Sequence, residues 1–590
     1  MSSISSLGVA ASGLFSAQKG LTVTGHNISN VNTVGYTRQQ LLQHDTSYMT
    51  VGKSGGYTMQ KGIGVSDTEI RQIRDTFADM RFRQENSVLS FYQTKSVVIS
   101  EIETILDEPY GEGLSNKLDA FWSQTQKLST NPSGIEERMA FLQAANVLIG
   151  RINQIQTSLT SYQDNLNNQV ISTVNRVNEL TKEIEALNEL IYKSELNGDN
   201  ANDYRDARNN ALDELSAYMS ITYTELPDST VVVKSNGTIL VEQGFVAQME
   251  LVQTAPLSPY VKPIWSDSKQ DVYDFTSATT DTTITTEGSI VVGDTGVNVT
   301  FGQGVGTGNA VLVNASNGND EGSLKSLLLA RGGFSADKFT EWDDIVLNSN
   351  YSADYSGNTF LIPELQKQFD TLTHEIVSMV NECFTGEGLG THEGIMGVPV
   401  FIPISSGVSH PVLPDDPTQE DIDNYNAELE QYYEDIKPYL TIGNIQVNPE
   451  LLADSGYNKL GTVTETGNIS DNTKVQEMLE RWTEPIAWNT TDANGDPITQ
   501  PPAPYQKTLD IRNFYAEMLS ELGQEGYESA SKYKEKMTVV QSIDNERMAI
   551  GSVSQDEELA TMMKYQYAYN AASRMITMLD GMMDVIINKM

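Results

Sequence analysis

The chain has 590 residues and is 39% hydrophobic and 20% charged, with 79 acidic against 38 basic side chains for a formal net charge of −41. That length exceeds one core and predicts several domains, and the composition is that of a folded protein rather than a disordered one. Nucleic acid and anionic membrane need clustered Lys and Arg, so both are excluded as partners. The single Cys383 and five scattered histidines exclude a disulfide framework and a zinc cluster.

The opening MSSISSLGVAASGLFSAQKGL has no basic leader and its apolar positions are spaced, unlike a Sec-type signal peptide. No run of about 18 apolar residues occurs, so no membrane span is expected. Leu7, Ala10, Leu14, Ala17, Leu21, Thr24 and Ile28 alternate at spacings of three and four, the seam of an amphipathic helix suited to coiled-coil packing. HNISNVNTVGYTRQQ follows, dense in Asn and containing Gly35, and reads as an elbow that ends this helix. Arg81 to Leu106 is helix-like, and the apolar series from Ile152 to Ile191 predicts a long rod helix bounded by Asn197-Gly198. Arg205 to Met219 continues the helical pattern.

The character changes at Ile221, where ITYTEL and TVVVKSNGTILVEQG predict strands around an Asn-Gly turn, and the chain reads as β to about Leu312. Helical pattern returns in EGSLKSLLLARGG and from Ile362 to Phe384. A Pro- and Gly-rich stretch, an acidic helix over Thr418 to Lys437 and short mixed elements follow. From Leu509 the pattern is helical to the end, broken near Gly551. Ser554 and Glu557 offer a capping box to the last helix, whose Tyr565, Ala568, Ala572, Met575, Leu579, Met582 and Ile586 repeat the three-four alternation. The expected fold is mainly α with a β insert: terminal helices paired in a coiled-coil-like inner domain, a helical rod domain and outward-projecting β. The expected units are 1–50 with 550–590 (terminal assembly), 51–221 with 320–385 and 505–549 (rod), 222–319 (β) and 386–504 (second mixed outer unit).

Motifs for chemistry are weak. GQGVGTGNA, Gly302 to Ala310, lacks a following helix and the Walker lysine, and reads as a loop between strands. His374 and His392 each lack a second histidine four residues on, and DANGD from Asp492 lacks the distal Glu of a calcium loop. The acids from Asp415 to Asp435 read as a solvated helix face. No catalytic, cofactor or metal residue is assigned, and the chain reads as a structural protein, not an enzyme. The candidate site is an assembly interface: Leu7, Leu14, Leu21, Ile28, Asn30, Gly35 and Tyr36 at one end, Tyr565, Ala568, Ala572, Met575, Leu579, Met582 and Ile586 at the other.

NISNVNTVGY, Asn27 to Tyr36, resembles the N-terminal signature of the flagellar rod, hook and hook-associated proteins. QDEELATMMKYQYAYNAASRMITMLDGMMDVIINKM resembles their matching terminal helix. Length and RDARNNALDELSAYMSITYTE, Arg205 to Glu225, are similar to the hook-filament junction branch of that group. The match is dense over about the first 220 and last 80 residues. It departs at Val34, where the family usually has Pro and so a fixed φ. The resemblance implies an extracellular flagellar subunit, exported by the flagellar type III route without a cleaved signal. It also implies assembly with copies of itself, the hook protein and a second junction protein, and capture of its C-terminal helix by a cytoplasmic chaperone before export. A hook or distal rod protein is the alternative within the group. A secreted enzyme, or an adhesin anchored by its helical ends, is the alternative outside it.

Overall fold

The computed structural model describes the chain apart from residues 1, 47, 55–56, 109–112, 197, 199, 256–257, 274, 276–281, 285–288, 293–296, 301–320, 341–344, 346–358, 386–394, 415, 465–467, 469, 488–507 and 590. The glycine-rich segment 302–310, His392 and the segment 492–496 lie outside the described residues.

The first helix α1, Ser2–Ser29, leads through the elbow into four strands: β1 Gln39–Asp45, β2 Tyr48–Ser54, β3 Tyr57–Gly62 and β4 Val65–Gln72. β1 pairs antiparallel with β4 and β2 with β3, giving two ribbons that extend one another. These strands have no counterpart in the sequence-based expectation, which placed the helical rod directly after residue 50. Helices α2 Thr76–Leu106, α3 Leu114–Thr130, α4 Ile135–Glu195 and α5 Asn202–Tyr218 follow. Asp75 caps α2 through bonds from the amides of Phe77 and Ala78, and Asp107, at φ 56°, closes it in the left-handed region.

α4 has 61 residues, a rod about 90 Å long at 1.5 Å per residue. Its Ile152, Ile155, Leu159, Leu166, Val170, Val174, Val177, Leu180, Ile184 and Ile191 are all buried, as the sequence period predicts. The long helix Ile511–Gly551 runs antiparallel to α2, since Lys95, Glu85 and Asp79 pair in turn with Glu525, Lys536 and Arg547. It ends at Gly551, and the C-terminal helix Gln555–Lys589 begins four residues on.

The β region begins with an antiparallel meander of β5 Thr222–Glu225, β6 Val231–Ser235, β7 Thr238–Glu242 and β8 Phe245–Val246. Its β6–β7 turn is made by Asn236 and Gly237, at φ 48° and 83°, the paired positive φ of a tight hairpin. β9 Met249–Gln253 and β10 Val261–Trp265 form a second antiparallel pair, and three short strands lie within 282–300.

Helix asparagines dock strands onto the rod by imitating an edge strand. The Asn188 amide donates to the Val231 carbonyl at 2.9 Å and accepts from the Val231 amide at 3.1 Å. Asn178 does the same to Met249 at 2.9 and 2.8 Å, and Asn381 to Phe401 at 2.8 and 2.9 Å. Each satisfies both backbone groups of one residue that would otherwise be buried unpaired.

The helix Leu361–Phe384 is buried on nearly every side and organises the outer part of the molecule. Two of its titratable groups work in opposite directions. Burial, helped by Lys338, pulls the His374 pKa down to about 3, while the ring Nδ1–H donates to the Leu440 carbonyl at 3.0 Å. Burial pushes Asp370 up to about 6, although its carboxylate accepts from the amides of Lys338 and Ile442. A folded pKa below the ordinary 6.5 means that the His374 contribution is lost as pH falls from 6.5 toward 3. A folded pKa above 3.8 means that the Asp370 contribution is gained as pH falls from 6 toward 3.8. The two offset between pH 6 and 4. Asp370→Asn should therefore unmask a loss of stability in that interval approaching about 1.4 kcal/mol per pH unit, read as melting temperature against pH. Parent and variant curves of equal slope would remove Asp370 from the balance.

Candidate assembly site

α1 and the C-terminal helix pack along each other. Along α1 the buried positions are small: Ala10, Ser16, Ala17, Gly20 and Thr24, with Val23 and Asn27. The Thr24 hydroxyl bonds back to the Gly20 carbonyl at 2.8 Å, so its polarity is met within the helix. A Cβ on Gly20 would lie 2.5 Å from the Tyr565 ring, so glycine there makes a hole that the ring fills. Asn27 meets Glu558 at 3.1 Å. Seven residues forward on α1 correspond to seven backward on the partner, so the helices are antiparallel.

Leu7, Leu14, Leu21 and Ile28 are half-buried and flank this small-residue line. On the C-terminal helix Met562, Tyr565, Tyr569, Ala572, Ile576, Leu579 and Met583 are the less exposed positions, following the buried Glu558. Tyr565, Ala572 and Leu579 thus lie on the α1 side, as the expected seam has them. Ala568, Met575 and Met582 do not: they are exposed, and the positions turned toward α1 are their neighbours Tyr569, Ile576 and Met583. A spacing of three-four and one of four-three read alike when apolar residues stand at both, and only the partner selects between them. The Ile586 side chain lies outside the described residues. Met575, Met578, Met582 and Val585 are each more than half exposed, at 51%, 62%, 55% and 52%, and form a second apolar stripe beside the α1-facing one.

The elbow is a hydrogen-bonded hub. Asn27, the first asparagine of the signature, uses its whole amide: it donates to the Gln39 carbonyl at 2.9 Å and to Glu558, and accepts from the Tyr36 hydroxyl at 2.8 Å and the Gln39 amide at 3.0 Å. Tyr36 also stands 3.0 Å from His26 Nδ1, and burial, with Asp203, Asp206 and Glu558 nearby, holds its hydroxyl well above its usual pKa. Arg38 Nε donates to Glu558 at 2.7 Å, and the Arg38 amide donates to the Gly551 carbonyl at 2.8 Å. Asn30 turns the chain, donating to the His26 carbonyl at 3.0 Å while its own carbonyl accepts from the Thr33 amide at 2.9 Å. Gly35 has φ 77°, a conformation that favours glycine, and a Cβ there would fall 2.0 Å from the Asn210 side chain of α5, which would have to move aside.

α5 is the floor on which the elbow rests. Asp206 accepts from the Thr37 amide at 3.0 Å and from Gln72 Nε2 at 2.8 Å, and burial raises its pKa. Arg547 then bridges Asp79 of α2, at 2.8 Å, and Asp213 of α5, which also holds the fully buried Arg83 at 2.6 Å. Burial raises the pKa of Asp213, but Arg83 and Arg547 outweigh it and leave the carboxyl below its usual range. Two helices of the rod and the last turn before Gly551 are thereby tied together beneath the elbow.

Sequence reasoning placed Asn30, Gly35 and Tyr36 here but missed Asn27 as the centre, Arg38, Glu558 and Asp206. Their signal was present as spacing: Asn27, Tyr36 and Arg38 stand within twelve residues, and their carboxylate partners lie in the two other segments that resembled the family. A further signal is charge. Residues 1–44 contain no Asp or Glu, so all 79 acidic side chains lie beyond α1 and the elbow.

Comparison with known proteins matches this layout piece by piece. Residues 7–37 match the flagella basal body rod protein family, and residues 552–589 the flagellar basal body rod FlgEFG protein C-terminal family. Residues 99–290 match the flagellar hook-associated protein FlgK helical domain. The chain is therefore an axial structural protein of the bacterial flagellum, sharing its two paired ends with rod proteins. Within that class the chain is similar to flagellar hook-associated protein 1. The protein of that name from Bacillus subtilis is 26% identical over 586 residues, 99% of this chain and 98% of the relative. That from Salmonella typhimurium is 27% identical over 249 residues, 42% of this chain and 44% of the relative. The solved flagellar hook junction protein FlgK from Burkholderia pseudomallei superposes with a TM-score of 0.49 at 11% identity, over 80% of this chain and 100% of its own.

Proposed function

We propose that the chain is a noncatalytic subunit forming the junction between flagellar hook and filament, and that it self-assembles through its terminal helices. The observation that carries this reading is the pairing of α1 with the C-terminal helix, fastened to α5 by the signature elbow. The two ends match rod proteins, and the helical domain of a hook-associated protein lies between them. Repetition of one heterologous contact around an axis builds a ring or tube. The apolar stripe Met575, Met578, Met582 and Val585 gives that contact buried area at about 25 cal/mol per Å². Freedom from acidic charge lets the α1 layer crowd against copies while the acidic excess of the chain lies beyond it.

The terminal layer is assigned to residues 1–72 with 552–590, wider than the 1–50 expected, because β1 and β4 pack with α1. The rod layer then begins at residue 73, and the β unit and the mixed outer unit keep the divisions read from the sequence. The hook protein on one side and a second junction protein on the other are the proposed neighbours. The exposed stripe of the C-terminal helix is the proposed site for a cytoplasmic chaperone before export without a cleaved signal.

Deleting the gene should leave cells with hooks and without filaments by electron microscopy, and the full chain supplied in trans should restore both filaments and swimming. Loss of hooks would move the chain to the rod or hook itself, and unimpaired swimming would favour an enzyme or adhesin.

A further inference from the structure

The two apolar seams do not by themselves choose how far one helix lies along the other. Ala10, Ala17 and Thr24 repeat small residues at heptad spacing, and Gly20, which receives the Tyr565 ring, has a second glycine one heptad away at Gly13. A Cβ on Gly13 would meet nothing within 4 Å. Sliding by seven residues would seat Tyr565 on Gly13 and leave small residues facing the same large ones. That slide would move Asn27 opposite Gly551 and Glu558 opposite Gly20, stranding the buried Glu558 carboxylate and leaving one Asn27 amide hydrogen without its acceptor. Stranding a buried donor or carboxylate costs far more than the same bond contributes when made.

We propose that Asn27 and Glu558 are positioning residues that specify the antiparallel register of the terminal helix pair, with Tyr36 and Arg38 holding them in place. Asn27 has all four amide bonds engaged, so it accepts no substitute partner without breaking one. Glu558 splits its oxygens, one to Asn27 and one to Arg38, although it lies 531 positions along the chain from Asn27. A single buried polar contact is a known way for a helical pair to fix register at a cost in stability. Register matters because it decides where the outer stripe sits relative to the elbow, and hence what a neighbouring copy meets.

The test reads geometry in the free full-length chain, so its result does not depend on whether the chain polymerises. In a Cys383→Ala background, Gly20→Cys with Tyr565→Cys reports the observed register, and Gly13→Cys with Tyr565→Cys reports the slid one. Both pairs remove the tyrosine, so its ring does not bias the comparison. The two registers differ by about 10 Å, beyond the roughly 7 Å that a disulfide tolerates between Cα atoms. With Asn27 and Glu558 intact, only the 20/565 pair should oxidise. Adding Asn27→Leu with Glu558→Leu should raise 13/565 cross-linking by about tenfold or more, with helical circular dichroism retained. The proposal is overturned if 20/565 stays exclusive in that background. It is equally overturned if both cross-links vanish together with terminal helicity, which would assign the two residues to stability alone.

Discussion

Met578→Asp combined with Met582→Asp is expected to leave the isolated chain folded and to abolish its assembly. Both side chains are more than half exposed, in the stripe of the C-terminal helix beside the α1-facing one, so the carboxylates stay hydrated in the monomer. On assembly through this stripe each would be buried without a cation, at a penalty of roughly several kcal/mol per group unless it neutralises. Because one contact repeats at every subunit, that penalty repeats as well. The measurement pairs circular dichroism and melting of the purified chain, expected to match the parent, with electron microscopy of cells, expected to show hooks and no filaments. Normal filaments would mean that assembly does not use this stripe.

How much was legible follows the kind of information each feature needs. α4 was readable because its partners lie along one unbroken face: of the residues from Ile152 to Ile191 that the period selects, all but the partly buried Tyr162 are buried, and no distant segment is needed to predict it. The break at Gly551 and the Asn236-Gly237 hairpin were readable because backbone chemistry is local. β1 to β4 were not. QQLLQHD offers one buried residue, Leu41, and a two-stranded ribbon that lies largely in water has no apolar alternation to announce it.

The site divides in the same way. Gly35 acts through its own backbone and Asn30 through bonds no more than four residues away, and both were found, whereas the role of Asn27 depends on Glu558 and that of Thr37 on Asp206, partners 531 and 169 positions away. The face of the C-terminal helix was half legible. Seven apolar residues stand at one alternation and their immediate neighbours at the other, a pattern that predicts two apolar sides without saying which one α1 takes. The resemblance to axial proteins supplied the pairing of the ends but not the register or the face.

Leu579→Asp separates the inner face from the outer one. Leu579 is half-buried on the α1 side, in line with Ala572 and Ile576 and one turn from Met583. A carboxylate there meets α1 within the same chain, so the damage should appear before any neighbour arrives. The terminal helix pair should loosen, the helical signal should fall by the share of α1 and the C-terminal helix, and limited proteolysis should trim both ends back to the elbow. The body should keep its melting transition, because α4 and the helix Ile511–Gly551 bury their own core without help from the terminal pair. The loss is put at roughly 3 kcal/mol or more, enough to unpair two helices that are marginal alone. Thr577→Asp is the control: Thr577 is exposed, its hydroxyl bonds only to the Ser573 carbonyl at 3.1 Å, and it lies about 160 to 200° around the helix from Leu579. It should retain helicity and filaments. Leu579→Asp cells with normal filaments would remove the inner seam from the assembly, while equal harm from both substitutions would show that the helix matters and the assigned face is wrong.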